Sequence, residues 1–198
     1  MADQVQPEAP REAERIVRHV LDALAARSAF RTPRLSLADP RTLALASPHR
    51  VVVLPLEVLR AGREIRLVER GWRFLITSDG EAIAAAEALA QLRGRFRFGG
   101  LNEGPLVTGF ATALRSNPGM QEPGVETRLL LAPALHVAAV VITQAGAPGP
   151  GFRTRDTIIP IVSAHPRLPP FRVIPPVDYV AILRMLAAEI PVDGAKGG

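Results

Sequence analysis

The chain has 198 residues, 47% of them apolar, which suits one domain with an ordinary core. It has no cysteine, which excludes disulfides, thiol nucleophiles and thiolate-held zinc. The net charge is +5 and Lys196 is the only lysine among 24 basic residues, so little titrates between histidine and arginine and the pI near 11.0 overstates a small basic excess.

Residues 1–9 are polar and carry no basic-plus-apolar leader, so a disordered start and a cytoplasmic protein are expected. Heavy use of arginine, alanine, proline and glycine fits a GC-rich bacterial genome better than polyanion binding. Residues 10–28 predict a helix, because Ile16, Val17, Val20, Leu21 and Leu24 recur at helical spacing and Glu14 sits four before Arg18. Its single apolar stripe docks on the protein's own sheet or reaches to a partner. Phe30 to His49, with Pro33, Pro40 and Pro48, reads as a connector of short pieces. Arg50 to Glu57 predicts a strand, with Pro55 at an edge or near its end. A second strand follows over 64–77, with a bulge at Gly71 before Trp72 and a turn at Ser78-Asp79-Gly80.

The alanine-rich stretch Glu81 to Leu92 is read most simply as a short helix, with a strand start at Glu81–Ala85 as the alternative. In the next segment, Arg93 to Gly104, Arg95 and Arg97 alternate with Phe96 and Phe98, which puts both arginines on one face of an extended piece. A helix over 105–116 follows, apolar through Leu106, Phe110, Ala113 and Leu114 and stopped by Asn117-Pro118-Gly119.

Arg128 to Ala145 holds the longest apolar run, and its fourteen residues from Leu129 to Ile142 carry no formal charge. As a helix it spans about 21 Å, short of the roughly 30 Å membrane core, and it contains Pro133 and His136. It therefore predicts one long strand bent at Pro133, covered on both faces. Asp156 to His165 answers it as the second of two central strands, across a proline- and glycine-rich loop that reads as a flexible flap. A proline-rich crossing leads to a last helix over 178–189, with Tyr179, Ile182, Leu183 and Leu186 inward, and a disordered tail over 191–198. The expected fold is one α+β domain over 10–190: a mostly antiparallel sheet of four to six strands with three to four packed helices.

The segments Gly71–Ile76, Arg128–Ile142 and Asp156–Ile161, taken together, resemble a family of uncharacterised bacterial proteins. The resemblance follows segment order from about residue 50 to residue 188. It implies no activity and assigns no functional residues.

Familiar chemistries find little support. Ser163 and His165 share one face of a strand end, but Asp156 is about 20 Å away along the strand, and no G-x-S-x-G elbow occurs. His19, His49, His136 and His165 lack metal-binding spacing, although His136 and His165 converge if the two central strands pair. Pro148 and Pro150 remove N–H donors from the Gly146–Gly151 loop, which spoils a phosphate cradle. No catalytic residue, metal site or cofactor is expected. The best candidate binding residues are Arg93, Arg95, Arg97, Asn102 and Glu103, suited to a carboxylate, a phosphate or a nucleic-acid backbone. The competing reading of that segment is an edge strand with its phenylalanines in the core and its arginines in water.

The leading function is a non-enzymatic protein-interaction or scaffold domain, with a protein partner or self-association and no membrane. One alternative is a polyanion or nucleic-acid binder using the same arginines with Arg153 and Arg155. The other is a hydrolase or metal-dependent enzyme around His136 and His165.

Overall fold

The computed structural model describes residues 9–146 and 151–191. Of the expected disordered ends, 1–9 and 191–198, residues 1–8 and 192–198 lie outside the described residues, as does the middle of the expected flap, 147–150; Ala9 is buried. Seven strands form one mixed sheet: β1 (Ala44–Val53), β2 (Val68–Ser78), β3 (Glu81–Ala90), β4 (Phe96–Asn102), β5 (Val125–Ala132), β6 (Val137–Gln144) and β7 (Thr157–Val162). Their order is β4-β3-β2-β1-β5-β6-β7. All neighbours are antiparallel except β1 and β5, which run parallel over Arg50–Val53 and Arg128–Leu131. Among the described residues five α-helices accompany the sheet: α1 (Arg11–Ala26), α2 (Pro33–Leu37), α3 (Leu56–Arg60), α4 (Pro105–Ser116) and α5 (Pro176–Glu189). The class is α+β as expected, with seven strands rather than four to six and five α-helices rather than three to four among the described residues.

Alternation along the strands divides the helices between two faces. On one face α4 packs over Val51, Leu75, Ala85, Leu129, Val140 and Ile159. Gly109 lets it press on β7: an alanine Cβ there would lie 3.0 Å from the Ile161 Cβ and 3.2 Å from its carbonyl oxygen. The other face is shared. α1 covers β3 and β4 through Ala13, Val17 and Leu21 against Trp72, Phe74, Ala84 and Ala86. α5 covers the β5–β7 side through Tyr179, Leu183 and Ala187 against Leu130, Ala139 and Ile158.

Between the two halves an ion-pair seam crosses the β1–β5 junction. Arg50 lies over the Trp72 ring, 4.9 Å from its centroid, and holds Glu69 at 2.8 Å. Glu126 takes Arg50 at 3.2 Å and Arg128 at 2.9 Å.

Several local expectations are corrected. Glu81–Ala90 is a strand, not a helix. The reason is tertiary: Ala84, Ala85, Ala86 and Ala88 are fully buried between helices on both faces, and small side chains admit that close cover. Leu129 to Ile142 is a hairpin rather than one bent strand: Pro133–Leu135 make a single 3₁₀ turn, and His136 closes it at φ 53°. β7 is therefore at the edge of the sheet and not central. The connector before residue 50 contains the start of β1, whose register shifts between Ala46 and His49 to absorb Ser47 and Pro48. A bulge is present beside Gly71 as expected: Gly71 pairs with Val51 and Glu69 with Val52, which leaves Arg70 as the extra residue. Gly71 takes φ 147°, and any Cβ there would collide with the Ala88 carbonyl oxygen. Among the described residues no helix is long and apolar enough to cross a membrane.

Candidate interaction edge

A seven-stranded open sheet has two edges, and this one treats them differently. At β7 the chain folds back on its own border. The Phe171 N–H donates to the Pro160 carbonyl at 2.8 Å, and the Ile174 N–H donates to the Ile158 carbonyl at 2.9 Å. Pro160 itself, within β7, removes one donor from the edge region. At β4 no strand of the described chain pairs with the outer border.

The β4 border is where the sequence places its arginines. β3 and β4 join through a hairpin tip at Leu92–Gly94, in which Arg93 takes φ 62° and Gly94 φ 71°. Leu92 projects there almost wholly into solvent, at 90% exposure. Past the tip the Arg95 carbonyl accepts the Gln91 N–H at 2.7 Å. Phe96 and Phe98 then pack partly into the layer beneath α1, while Arg95 and Arg97 stand exposed on the opposite face. Arg93, Arg95 and Arg97 have no carboxylate partner among the described residues, unlike Arg18, Arg50, Arg73 and Arg128. Other surface arginines, such as Arg66 and Arg172, also have no ion pair among the described residues. What sets these three apart is that they run from the hairpin tip into an unpaired strand border, beside an exposed leucine.

The remaining two candidates turn inward. The Glu103 carboxylate accepts the backbone N–H groups of Arg34 (3.0 and 3.1 Å) and Leu35 (3.0 Å), capping the first turn of α2 from across the fold. Burial pushes its pKa up, but the Thr32 hydroxyl, the Leu35 and Arg34 amides and the Arg34 charge outweigh that, and it ends below the usual carboxylate range. The Asn102 side-chain oxygen accepts from the Arg73 guanidinium. The candidate set is thus split into an exposed arginine row and two structural anchors.

Asn102 leads to a polar cluster that the sequence reading missed. Arg73 is 1% exposed between α4 and the sheet and also faces Glu87 at 3.4 Å. Burial holds its pKa below the ordinary guanidinium value, with Glu87 pulling the other way. Next to it His49 is fully buried and stacks on Phe110, ring centroids 3.8 Å apart. Its Nδ1 lies 2.7 Å from the Ser47 carbonyl, so Nδ1 carries the proton, and Nε2 is buried without a partner. Burial lowers the His49 pKa to about 3, against the Ser47 hydrogen bond and with help from the Arg73 charge. One signal for this cluster was available: Arg73 is a lone charge inside the apolar run from Trp72 to Ile76.

His136, Ser163 and His165 do line one cleft of about 440 Å³, with Leu186 and Glu189 on its far wall. The His165 N–H donates to the Ser163 Oγ at 3.0 Å, and His165 Nδ1 accepts the Arg167 N–H at 3.1 Å. Among the described residues no hydrogen bond joins the Ser163 hydroxyl to an imidazole, and no three His, Asp or Glu side chains gather as a metal site. Arg153 and Arg155 border a different cleft, with Thr143, Asp156 and Thr157, far along the sheet order from β4. They do not extend the β4 row.

No protein-family model matches the chain, and no curated protein or solved structure is similar to it.

Proposed function

We propose that this chain is a non-enzymatic protein-interaction domain whose contact element is the β4 border, and that it takes an acidic, extended segment of a partner protein there. The observation that carries the reading is the contrast between the edges: β7 is closed by residues 171–174, whereas no described strand pairs with the outer border of β4, and Arg93, Arg95 and Arg97, without a carboxylate partner among the described residues, run from the hairpin tip into it. An open strand offers main-chain donors and acceptors to an incoming strand, and side chains beside it select what enters. Three guanidinium groups select carboxylates.

A labelled peptide rich in glutamate, titrated with the protein in fluorescence anisotropy, tests this. Binding is expected to weaken several-fold between low salt and physiological ionic strength, because the contacts sit in water where screening acts. Arg95→Glu with Arg97→Glu is expected to abolish it. Saturable binding that ignores both salt and the double substitution would remove β4 from the proposal. The same arginines also suit a phosphate backbone, so a single-stranded oligonucleotide belongs in the titration. Tighter binding of the oligonucleotide than of the peptide would favour the polyanion reading instead.

A further inference from the structure

The backbone phase of β4 goes further and says what pattern the incoming segment carries; this rests on the reading of β4 just given. In an antiparallel ladder successive residues point their N–H and C=O groups alternately to the two neighbours. The Gln91 N–H bonded to the Arg95 carbonyl fixes Arg95 as pointing inward, toward β3. Arg97, opposite Leu89, points inward by the same alternation, which leaves the main-chain groups of Phe96 and Phe98 facing out. Side chains alternate as well, but between faces: Phe96 and Phe98 lie on the α1 side, Arg95 and Arg97 on the other.

We infer that the partner segment alternates acidic and apolar residues, its carboxylates in line with Arg95 and Arg97 and its apolar side chains beside Phe96 and Phe98. An added strand must hydrogen-bond to Phe96 and Phe98, because theirs are the groups on offer. Its own side chains then fall alternately on the two faces, one row meeting guanidinium groups and the other meeting the phenylalanine edges beneath α1. Regular pairing is short. The register shift between Glu87 and Ala88 places Gly99 as an extra residue in β4, so the regular stretch ends after Phe98. A second copy of this chain is a poor occupant: β4 against β4 sets two arginine rows side by side, and like charges across strands repel.

Two fluorescein-labelled nonapeptides of equal composition decide the matter, one alternating glutamate and valine, the other with its glutamates contiguous. The alternating peptide is expected to bind about tenfold more tightly, the product of a few favourable cross-strand pairs. In hydrogen exchange it is expected to slow the amides of Phe96 and Phe98 and leave those of Arg95 and Arg97 unchanged. Equal binding of both peptides, lost with Arg95→Glu and Arg97→Glu, overturns the pattern and keeps β4 as an acidic-segment site. Binding of neither peptide overturns both. Protection appearing at Arg95 and Arg97 overturns the phase, and tighter binding of an oligonucleotide than of either peptide overturns the choice of a protein segment.

Discussion

Asn102 and Arg97 look alike in the sequence, as polar residues in one glycine-rich stretch, yet they belong to different physics. Arg97 is solvated and its removal leaves nothing unsatisfied. Asn102 supplies an acceptor to a guanidinium that is 1% exposed, and a hydrogen bond to a charged group contributes about 1.5–3 kcal/mol. Asn102→Ala is expected to lower the urea midpoint by a corresponding amount, while Arg97→Ala leaves it in place.

The neighbouring His49 makes a pH prediction. Its folded pKa, about 3, lies below the ordinary 6.5, so between those values the unfolded chain binds a proton that the folded chain refuses. Its contribution to stability is complete above the unfolded pKa and is lost as pH falls toward the folded one, with a slope of at most about 1.4 kcal/mol per pH unit. His49→Phe keeps a ring on Phe110 and removes the titration. Melts of both proteins from pH 7 down to pH 4 are expected to diverge, the native chain losing stability faster. Parallel curves would show that His49 is not the group responsible. None of this was legible from His49 itself, since its burial depends on α4, which begins more than fifty residues later.

Elements were legible where their periodicity acts locally, and illegible where packing overrules propensity. α1, α4 and α5 fall within a few residues of their expected bounds because each keeps an apolar face at helical spacing. β3 reversed its expected type because alanine, the best helix former, was chosen here for size. A sheet strand covered from both sides by α1 and α4 has room for little else. The same tightness yields two expectations. Gly109→Ala sets a Cβ 3.0 Å from Ile161, so α4 or β7 must give by a few tenths of an ångström; overpacking of roughly 1–3 kcal/mol is opposed by about 1 kcal/mol of helix propensity, and a small fall in the thermal midpoint is the readout. Gly71→Ala is expected to be worse, because both its backbone angle and the Ala88 carbonyl forbid a side chain; a loss of about 3 kcal/mol or more, read in denaturant unfolding, is in proportion. The row Arg93, Arg95 and Arg97 was visible as a candidate from alternation alone. That it lies on an outer border, and that the opposite border is closed, depended on strand order, which no single segment encodes.

For the whole molecule, the open border raises a question of solubility. An exposed strand edge is a template for another copy, and charged side chains are a common defence. The arginines of β4 therefore serve two ends at once, repelling like copies and attracting acidic segments. Replacing Arg95 and Arg97 by threonine keeps strand propensity and removes the charge. The variant is expected to self-associate, seen as a concentration-dependent increase in mass by light scattering, while the native chain stays at its own mass over the same range. A variant that remains at that mass would mean that the bulge at Gly99 protects the edge by itself.

The parallel junction in the middle of the sheet has a kinetic meaning. β1 through β4 form a meander of hairpin neighbours, and β5 through β7 form another. Among the described residues, strands of the two pair over Arg50–Val53 and Arg128–Leu131 alone, and the Leu54 N–H then reaches the Leu131 carbonyl at 2.8 Å. Closing that long a loop must precede any reward from the contacts it brings, which makes such pairings slow to form. During refolding with pulsed hydrogen exchange, amides paired within β2–β3 and β5–β6 are expected to gain protection before the amide of Leu54. The centre of the finished sheet would then be the last part of it to assemble.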